Sequence, residues 1–247
     1  MSDKTLAFYQ RIVALQTDTH RNLRMKPAST GLAFARDTHS LLLAATELPM
    51  AALDYPCVFV STPQGHALIA LVGLRDGENL MVDADGHWAE QRYVPAFVRR
   101  YPFVLAEQPG NPELTVCFDE AYEGSNQTEG EAVFDANGQA TPYLQGVQNL
   151  LLGYHQDLQT TSQWVAQIAE LGLLAERSIG HEHNGQRTVL QGFSVIDEAK
   201  LKALSPDTIQ SLFNSGALGW IHAHLLSMNN VSKLGARLDA RLAAAQG

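Results

Sequence analysis

Short apolar runs separated by turn residues fill the first half of the chain, and a three-and-four spacing takes over after residue 140. Cys57–Ser61 and Ala67–Gly73 flank Pro63-Gln64-Gly65 and predict a hairpin. Asn79–Val82 and the segment from His87 flank Asp83-Ala84-Asp85-Gly86, and Phe103–Ala106 and Leu114–Phe118 flank Gln108–Pro112, which predicts two more. These mostly consecutive strands imply an antiparallel meander or a small curled sheet. Upstream, Phe8, Ile12 and Leu15 share a helical face and predict a helix over Leu6–Gln16. His20–Pro27 reads as extended and Leu32–Phe34 as a short strand, while Leu41–Ala52 fits either a strand start or a capped turn.

Glu120–Glu131 is polar and glycine-rich, so it is the loop or boundary candidate. Phe134–Ala140 reads as a further turn. From Thr141, a cap followed by Pro142 opens a helix. Its stripe is Leu144, Val147, Leu151, Tyr154, Leu158, Val165 and Ile168, interrupted at Thr161. One helix, or two with a break near Thr160, should end at Gly172. Asn184-Gly185 then joins Ala175–His181 to Arg187–Val195 in the strongest hairpin signal of the chain. Asp197 and Ser205-Pro206 each start a short helix, and a last one runs from about Ala217 to Ala245. The expected fold is α+β: a mainly antiparallel β first half, a long central helix, a β-hairpin and C-terminal helices. It is read as one domain over residues 1–247, with a subdivision allowed near residues 120–131.

Composition narrows the function classes. The net charge of −9 and pI near 5.4 argue against a nucleic-acid partner and against docking on anionic lipid. No apolar run reaches the length of a membrane span, and the first residues carry no secretory signal, so the expected location is cytoplasmic, without membrane insertion. Cys57 and Cys117 lie in apolar strand-like runs and read as buried thiols in a reducing compartment; a disulfide requires their strands to be neighbours.

Candidate chemistry concentrates in Gly86–Phe103, where five aromatics, two prolines and three arginines share eighteen residues. Two readings stay open. Trp88, Tyr93, Arg99, Arg100 and Tyr101 form an aromatic corner plugging a sheet end, or they line a basic notch that takes an anion or carboxylate on guanidinium forks. His20, with Arg21, Arg24 and Lys26, is a basic patch in an acidic chain, and would extend that notch if it met Arg99 and Arg100.

Other motifs are weaker. His222 and His224 are two apart on a predicted helix, roughly 200° from each other, so they cannot chelate one ion. His224 borders the stripe Leu218, Ile221, Leu225 and Met228, and is either a core histidine or an acid–base group. His181 and His183 would share a face of a strand end, but they abut the Asn184-Gly185 turn and read as exposed hairpin histidines. The Asp83 and Asp135 turns place glycine fourth and lack the EF-hand spacing, so no metal site is assigned. There is no phosphate loop, nucleophile elbow or Cys-x-x-Cys pair, and the sequence specifies no cofactor.

The run Gly73–Phe103 resembles the signature block of the SapC-like family of bacterial proteins. The similarity continues through His20 with Leu23–Pro27, Tyr55-Pro56 to Phe59, Gly192-Phe193, and His224 with Leu225 and Ser227. The resemblance implies association with surface-layer and peptide-transport loci and the company of outer-membrane receptors, halogenase-like and cupin-like proteins. It supplies no agreed catalytic residues. The resulting expectation is an accessory protein that recognises a peptide or protein partner through its aromatic and arginine region. The alternative is an enzyme or enzyme subunit acting on a peptide or small carboxylated substrate, with His20 or His224 as its acid–base group or as a metal ligand. A homo-oligomer that uses the aromatic stretch as its interface is compatible with either.

Overall fold

The computed structural model of the protein describes residues 7–108 and 111–245. Its fold is α+β. In chain order the elements are β1 (Ile12–Ala14), α1 (Thr17–His20), β2 (Arg24–Met25), β3 (Ser40–Leu42), α2 (Leu48–Ala51), β4 (Cys57–Thr62), β5 (Gly65–Leu71), α3 (Ala96–Arg99), β6 (Phe103–Gln108), β7 (Asn111–Asp119), β8 (Ser125–Asn126) and β9 (Glu131–Ala132). The second half holds α4 (Pro142–Glu170), β10 (Leu174–His183), β11 (Gln186–Ile196), α5 (Glu198–Lys202), α6 (Pro206–Asn214), α7 (Ala217–Ser227) and α8 (Asn230–Ala244).

Three of the predicted hairpins form: β4–β5, β6–β7 and β10–β11, the tip of the second lying outside the described residues. At the tip of the last, Asn184 and Gly185 both take positive φ, 49° and 77°, which matches the strand twist. The Asp83–Gly86 turn does not nucleate a hairpin; only Val82 and Trp88 bridge across it. No meander forms either. The strands sort into sheets of order β1-β7-β6, β8-β2-β9 and β10-β11-β4-β5-β3.

Long-range pairing overrides local pattern at three further places. Ile12–Ala14 is strand β1, not helix, because Val13 and Ala14 pair with Phe118 and Cys117. The polar stretch after Glu120 is not an open loop: β8 and β9 flank β2 on both sides, and the Glu123 carboxylate accepts from Ser29 Oγ, Thr30 Oγ1 and the Thr30 amide. The C-terminal helix is two, separated at Met228-Asn229, where Asn230 Nδ2 donates to the carbonyls of Ala52 and Tyr55. Leu32–Phe34 is no strand, and a short 3₁₀ turn covers Ala33–Ala35. By contrast α4 is one unbroken helix of 29 residues, opened by Thr141 Oγ1 accepting from the Leu144 amide.

The described residues fall into two compact units. The first draws on residues 7–35, 84–87 and 96–156, and the second on residues 36–83, 88–95 and 157–245. The two three-stranded sheets belong to the first unit and the five-stranded sheet to the second. Residues 120–131 lie inside the first unit. One core of the first unit gathers Leu23, Met25, Phe103, Phe118, Val133, Leu144 and Leu151. In the second unit Leu41, Leu43, Phe59, Leu68, Ile168 and Leu173 are fully enclosed. Cys57 and Cys117 are free, buried, and on strands of different sheets. Among the described residues no helix is long and apolar enough to cross a membrane.

Candidate functional site

Basic side chains gather beside the outward face of β2. Alternation along the strand buries Met25 and turns Arg24 outward. Helix α1 and the residues that follow it bring His20 and Arg21 alongside. Two adjoining hollows open here, sharing Arg21, Asn22, Leu23 and Gln127. One, of about 430 Å³, adds Arg24, Thr128 and Phe134; the other, of about 320 Å³, adds His20, Asn126 and Phe118.

Each cation here has a distinct environment. Lys26 pairs with Glu129 at 2.7 Å and Arg11 with Glu120 at 3.0 Å, so both charges are answered. Arg21 Nη2 donates to the Ala136 carbonyl at 2.7 Å and Arg24 Nη1 to the Gly130 carbonyl at 2.5 Å. These neutral acceptors fix each guanidinium without neutralising it, and leave most of its five donors to other acceptors. Among the described residues neither arginine has a carboxylate within ion-pair distance. His20 Nδ1 accepts from the Gln16 amide at 3.0 Å, which puts the ring proton of the neutral form on Nε2, and the ring stands edge-on to Phe118.

The aromatic stretch is spent largely on structure. The Arg100 guanidinium lies 4.5 Å from the centre of the Phe97 ring, 5.5 Å from that of Tyr154 and 5.9 Å from that of Tyr9. Its Nε is buried without a hydrogen-bond partner. Tyr101 packs against Phe34, Phe8, Tyr9 and Tyr122, and its hydroxyl donates to Asp119 at 3.1 Å. Asp119 is fully buried and also accepts from the amides of Gln10, Arg11 and Ala121. Burial pushes its pKa up, but these four donors prevail and hold it below the ordinary carboxylate value. Arg99 is exposed in the last turn of α3. Neither Arg99 nor Arg100 lines the hollows beside β2.

Trp88 and Tyr93 belong to the second unit, where they close a polar chain. Trp88 Nε1 donates to the Tyr55 hydroxyl at 3.1 Å, the Tyr55 hydroxyl donates to the Tyr93 carbonyl, and the Tyr93 hydroxyl donates to Glu47 at 2.8 Å. Glu47 is buried, and its other oxygen accepts from the Ala44 amide. Tyr93→Phe removes a donor from a buried carboxylate. It is expected to cost about 1–3 kcal/mol of second-unit stability, measured by urea unfolding followed through tryptophan fluorescence.

His224 is completely buried in the same unit. Its Nε2 accepts from the Ile196 amide at 3.0 Å and its ring lies 4.9 Å from that of Phe59. Ser227 Oγ donates to the His224 carbonyl and accepts from the Cys57 amide. Burial lowers the imidazole pKa to about 4, against a smaller upward pull from the Cys57 main chain, and raises the Cys57 thiol to about 12. A neutral imidazole and a protonated thiol, both enclosed, make this a core cluster.

The structure therefore brings His20 and Arg24 together on one surface. It places Arg100 and Tyr101 in first-unit packing, Trp88 and Tyr93 in a hydrogen-bond chain of the second unit, and His224 in a separate core cluster of that unit. The family profile described as SapC matches residues 15–234 of the 247-residue chain. The chain belongs to the SapC family. The matched span takes in both units and every candidate residue above. No curated protein and no solved structure matches the chain. Sequence reading gave Arg21 no role beyond its patch and passed over Asp119 and Glu47. Arg21 was findable, because an arginine three residues from Arg24 reinforces a basic surface. Asp119 and Glu47 have no local signature, since their partners come from up to 109 and 46 residues away.

Proposed function

We propose that this SapC-family chain is a binding protein that recognises a peptide or protein partner by a carboxylate group, held on the surface of β2 between Arg21 and Arg24. One observation carries this reading: two guanidiniums are fixed by main-chain carbonyls, in adjoining hollows, with no carboxylate among the described residues paired to them. A planar donor fork so positioned suits a carboxylate better than a point charge. Asn22, Asn126 and Gln127 add neutral donors and acceptors of the kind a peptide backbone uses, and Leu23, Phe118 and Phe134 add apolar contact.

The test is fluorescence polarisation with a mixed-sequence hexapeptide pool in two forms, with free and amidated carboxyl ends. The free-acid pool should bind more tightly. Arg21→Gln with Arg24→Gln should weaken it by roughly 10- to 100-fold, in keeping with charge-assisted hydrogen bonds. Equal affinity for both pools, or no loss in the double variant, would reject the proposal.

A second reading, an enzyme acting on a small carboxylated substrate, draws support from His20. Its Nδ1 is held by the Gln16 amide, so the ring is oriented at the rim of a hollow, as an acid–base group requires. Turnover of the free-acid pool that disappears in His20→Gln while binding persists would favour it.

A further inference from the structure

The structure assigns a further binding site, for a neutral polyhydroxylated ligand of the mono- or disaccharide class, to a fork in the five-stranded sheet of the second unit. It shares no residue with the β2 surface. Strands β4 and β11 pair only at Val60–Phe193 and Phe59–Ser194. Beyond that point β4 stays with β5 as far as Thr62, and β11 stays with β10 as far as Gln186, so the two hairpins part. A hollow of about 710 Å³ lies at the fork, lined by Ser61 of β4, Glu176 and Ser178 of β10, and Gln191, Gly192 and Ser194 of β11. That volume is in the range of small-molecule sites.

A β-bulge shapes the hollow. Arg177 faces Phe193 while Ile179 faces Leu190, so β11 carries one residue more than β10 across this step. Gly192 takes φ 85° within it. A Cβ on Gly192 would meet nothing within 4 Å beyond its chain neighbours, so the glycine serves the bend and not a close approach. The extra residue sets Gln191 among the lining groups. Glu176 stands opposite Ser194, and Ser194 opposite Phe59, so the three share one face of the sheet. Ser178 and Ser61, two residues along from Glu176 and Phe59, fall on that same face.

Ser194 is the residue that points to a ligand. It is only 9% exposed, it lines the hollow, and its hydroxyl has no hydrogen-bond partner among the described residues. The hydroxyls of Ser61 and Ser178, the Gln191 amide and the Glu176 carboxylate also have none among them. Arg177 adds a guanidinium held by one donor, Nη1, on the Glu176 carbonyl at 3.0 Å. An apolar ligand would leave this row of polar groups unpaired. A simple anion would meet the Glu176 carboxylate, and a simple cation the Arg177 guanidinium. A sugar carries neutral hydroxyls that both donate and accept, the capacity that the serines and the glutamine present. Phe193 is 4% exposed, so recognition here rests on hydrogen bonds and not on ring stacking.

The full-length chain is tested by saturation-transfer NMR with glucose, galactose, mannose, N-acetylglucosamine and maltose at millimolar concentration, and with glycine and acetate as charged controls. At least one sugar should receive saturation, and the controls none. Ser194→Ala combined with Gln191→Ala should weaken that sugar's binding by about 10-fold or more. Gly192→Ala, which strains the bulge, should weaken it several-fold. Amide spectra of the wild-type chain decide the matter if a variant fails to fold: Ser61, Ser178, Gln191 and Ser194 should shift as the sugar is added. Transfer to none of the sugars, unchanged affinity in the folded double variant, shifts confined to other residues, or glycine or acetate binding at these residues would overturn the assignment.

Discussion

Acidification from pH 7 to pH 4 is expected to remove roughly 3 kcal/mol of second-unit stability through His224 alone. The residue is fully enclosed, and its pKa falls from 6.5 to about 4 because burial penalises the imidazolium. Protonation would also set a new N–H against the Ile196 amide, which already donates to Nε2. The sign follows from proton counting. Above pH 6.5 neither the folded nor the unfolded chain holds the extra proton on this ring. Between 6.5 and about 4 the unfolded chain binds a proton that the folded chain refuses, so stability falls by about 1.4 kcal/mol per pH unit. Below about 4 both states bind it and the loss stops growing. All three tryptophans, Trp88, Trp164 and Trp220, belong to the second unit, so their fluorescence reports that unit selectively. Urea titrations across the range, in wild type and His224→Gln, isolate the term from the carboxylates that titrate in both. An equal pH slope in the two proteins would show that His224 is not the group responsible.

Asp119→Ala is expected to cost the first unit about 3–5 kcal/mol, the largest effect of any single substitution considered for that unit. The carboxylate takes donors from three amides and the Tyr101 hydroxyl. Two of those amides, Gln10 and Arg11, immediately precede β1. Removing the acceptor leaves several donors buried or half-buried without a partner and frees the lead-in to that strand. Asp119→Asn keeps the shape but turns one acceptor into a donor facing other donors, so it should cost about half as much. Because the folded carboxyl titrates below its ordinary value, its contribution is present above about pH 4 and fades as pH falls toward the folded pKa. The first unit contains no tryptophan, so amide hydrogen exchange along β6 and β7 is the suitable measure. Exchange in Asp119→Ala that matches wild type would remove Asp119 from its place as the unit's polar anchor.

What could be read from the chain divides along physical lines. Hairpins with strong turns were legible, because Asn184-Gly185 sets the register of β10 and β11 by itself. The long helix was legible from its stripe, and Thr161 did not break it, because its hydroxyl bonds to the Asp157 carbonyl and accepts from the Ala45 amide. The N-terminal segment was misread, since Phe8, Ile12 and Leu15 fit a helical face only by coincidence of spacing. Its conformation is decided by strand β7, a hundred residues on. The candidate site shows the same limit. The basic patch around Arg24 was visible locally, but whether a given arginine meets carbonyls, aromatics or acids depends on residues brought from elsewhere. The shared face of His181 and His183 followed from alternation; Asp239, to which both rings are hydrogen-bonded, stands 56 residues beyond His183.

The order β10-β11-β4-β5-β3 also governs how the chain leaves the ribosome. Strand β4, Cys57–Thr62, finds β5 within a few residues, but its other edge waits for Phe193 and Ser194 of β11. At roughly 5–20 residues per second, that edge emerges and stays bare for about 6 to 25 s. Its first four residues, Cys-Val-Phe-Val, are the apolar kind of edge that recruits a second chain. The first unit can close once Gln156 is out, while a nascent chain at that point still carries an unsealed sheet. The most vulnerable moment of this protein's life therefore falls between the birth of its fourth strand and that of its last.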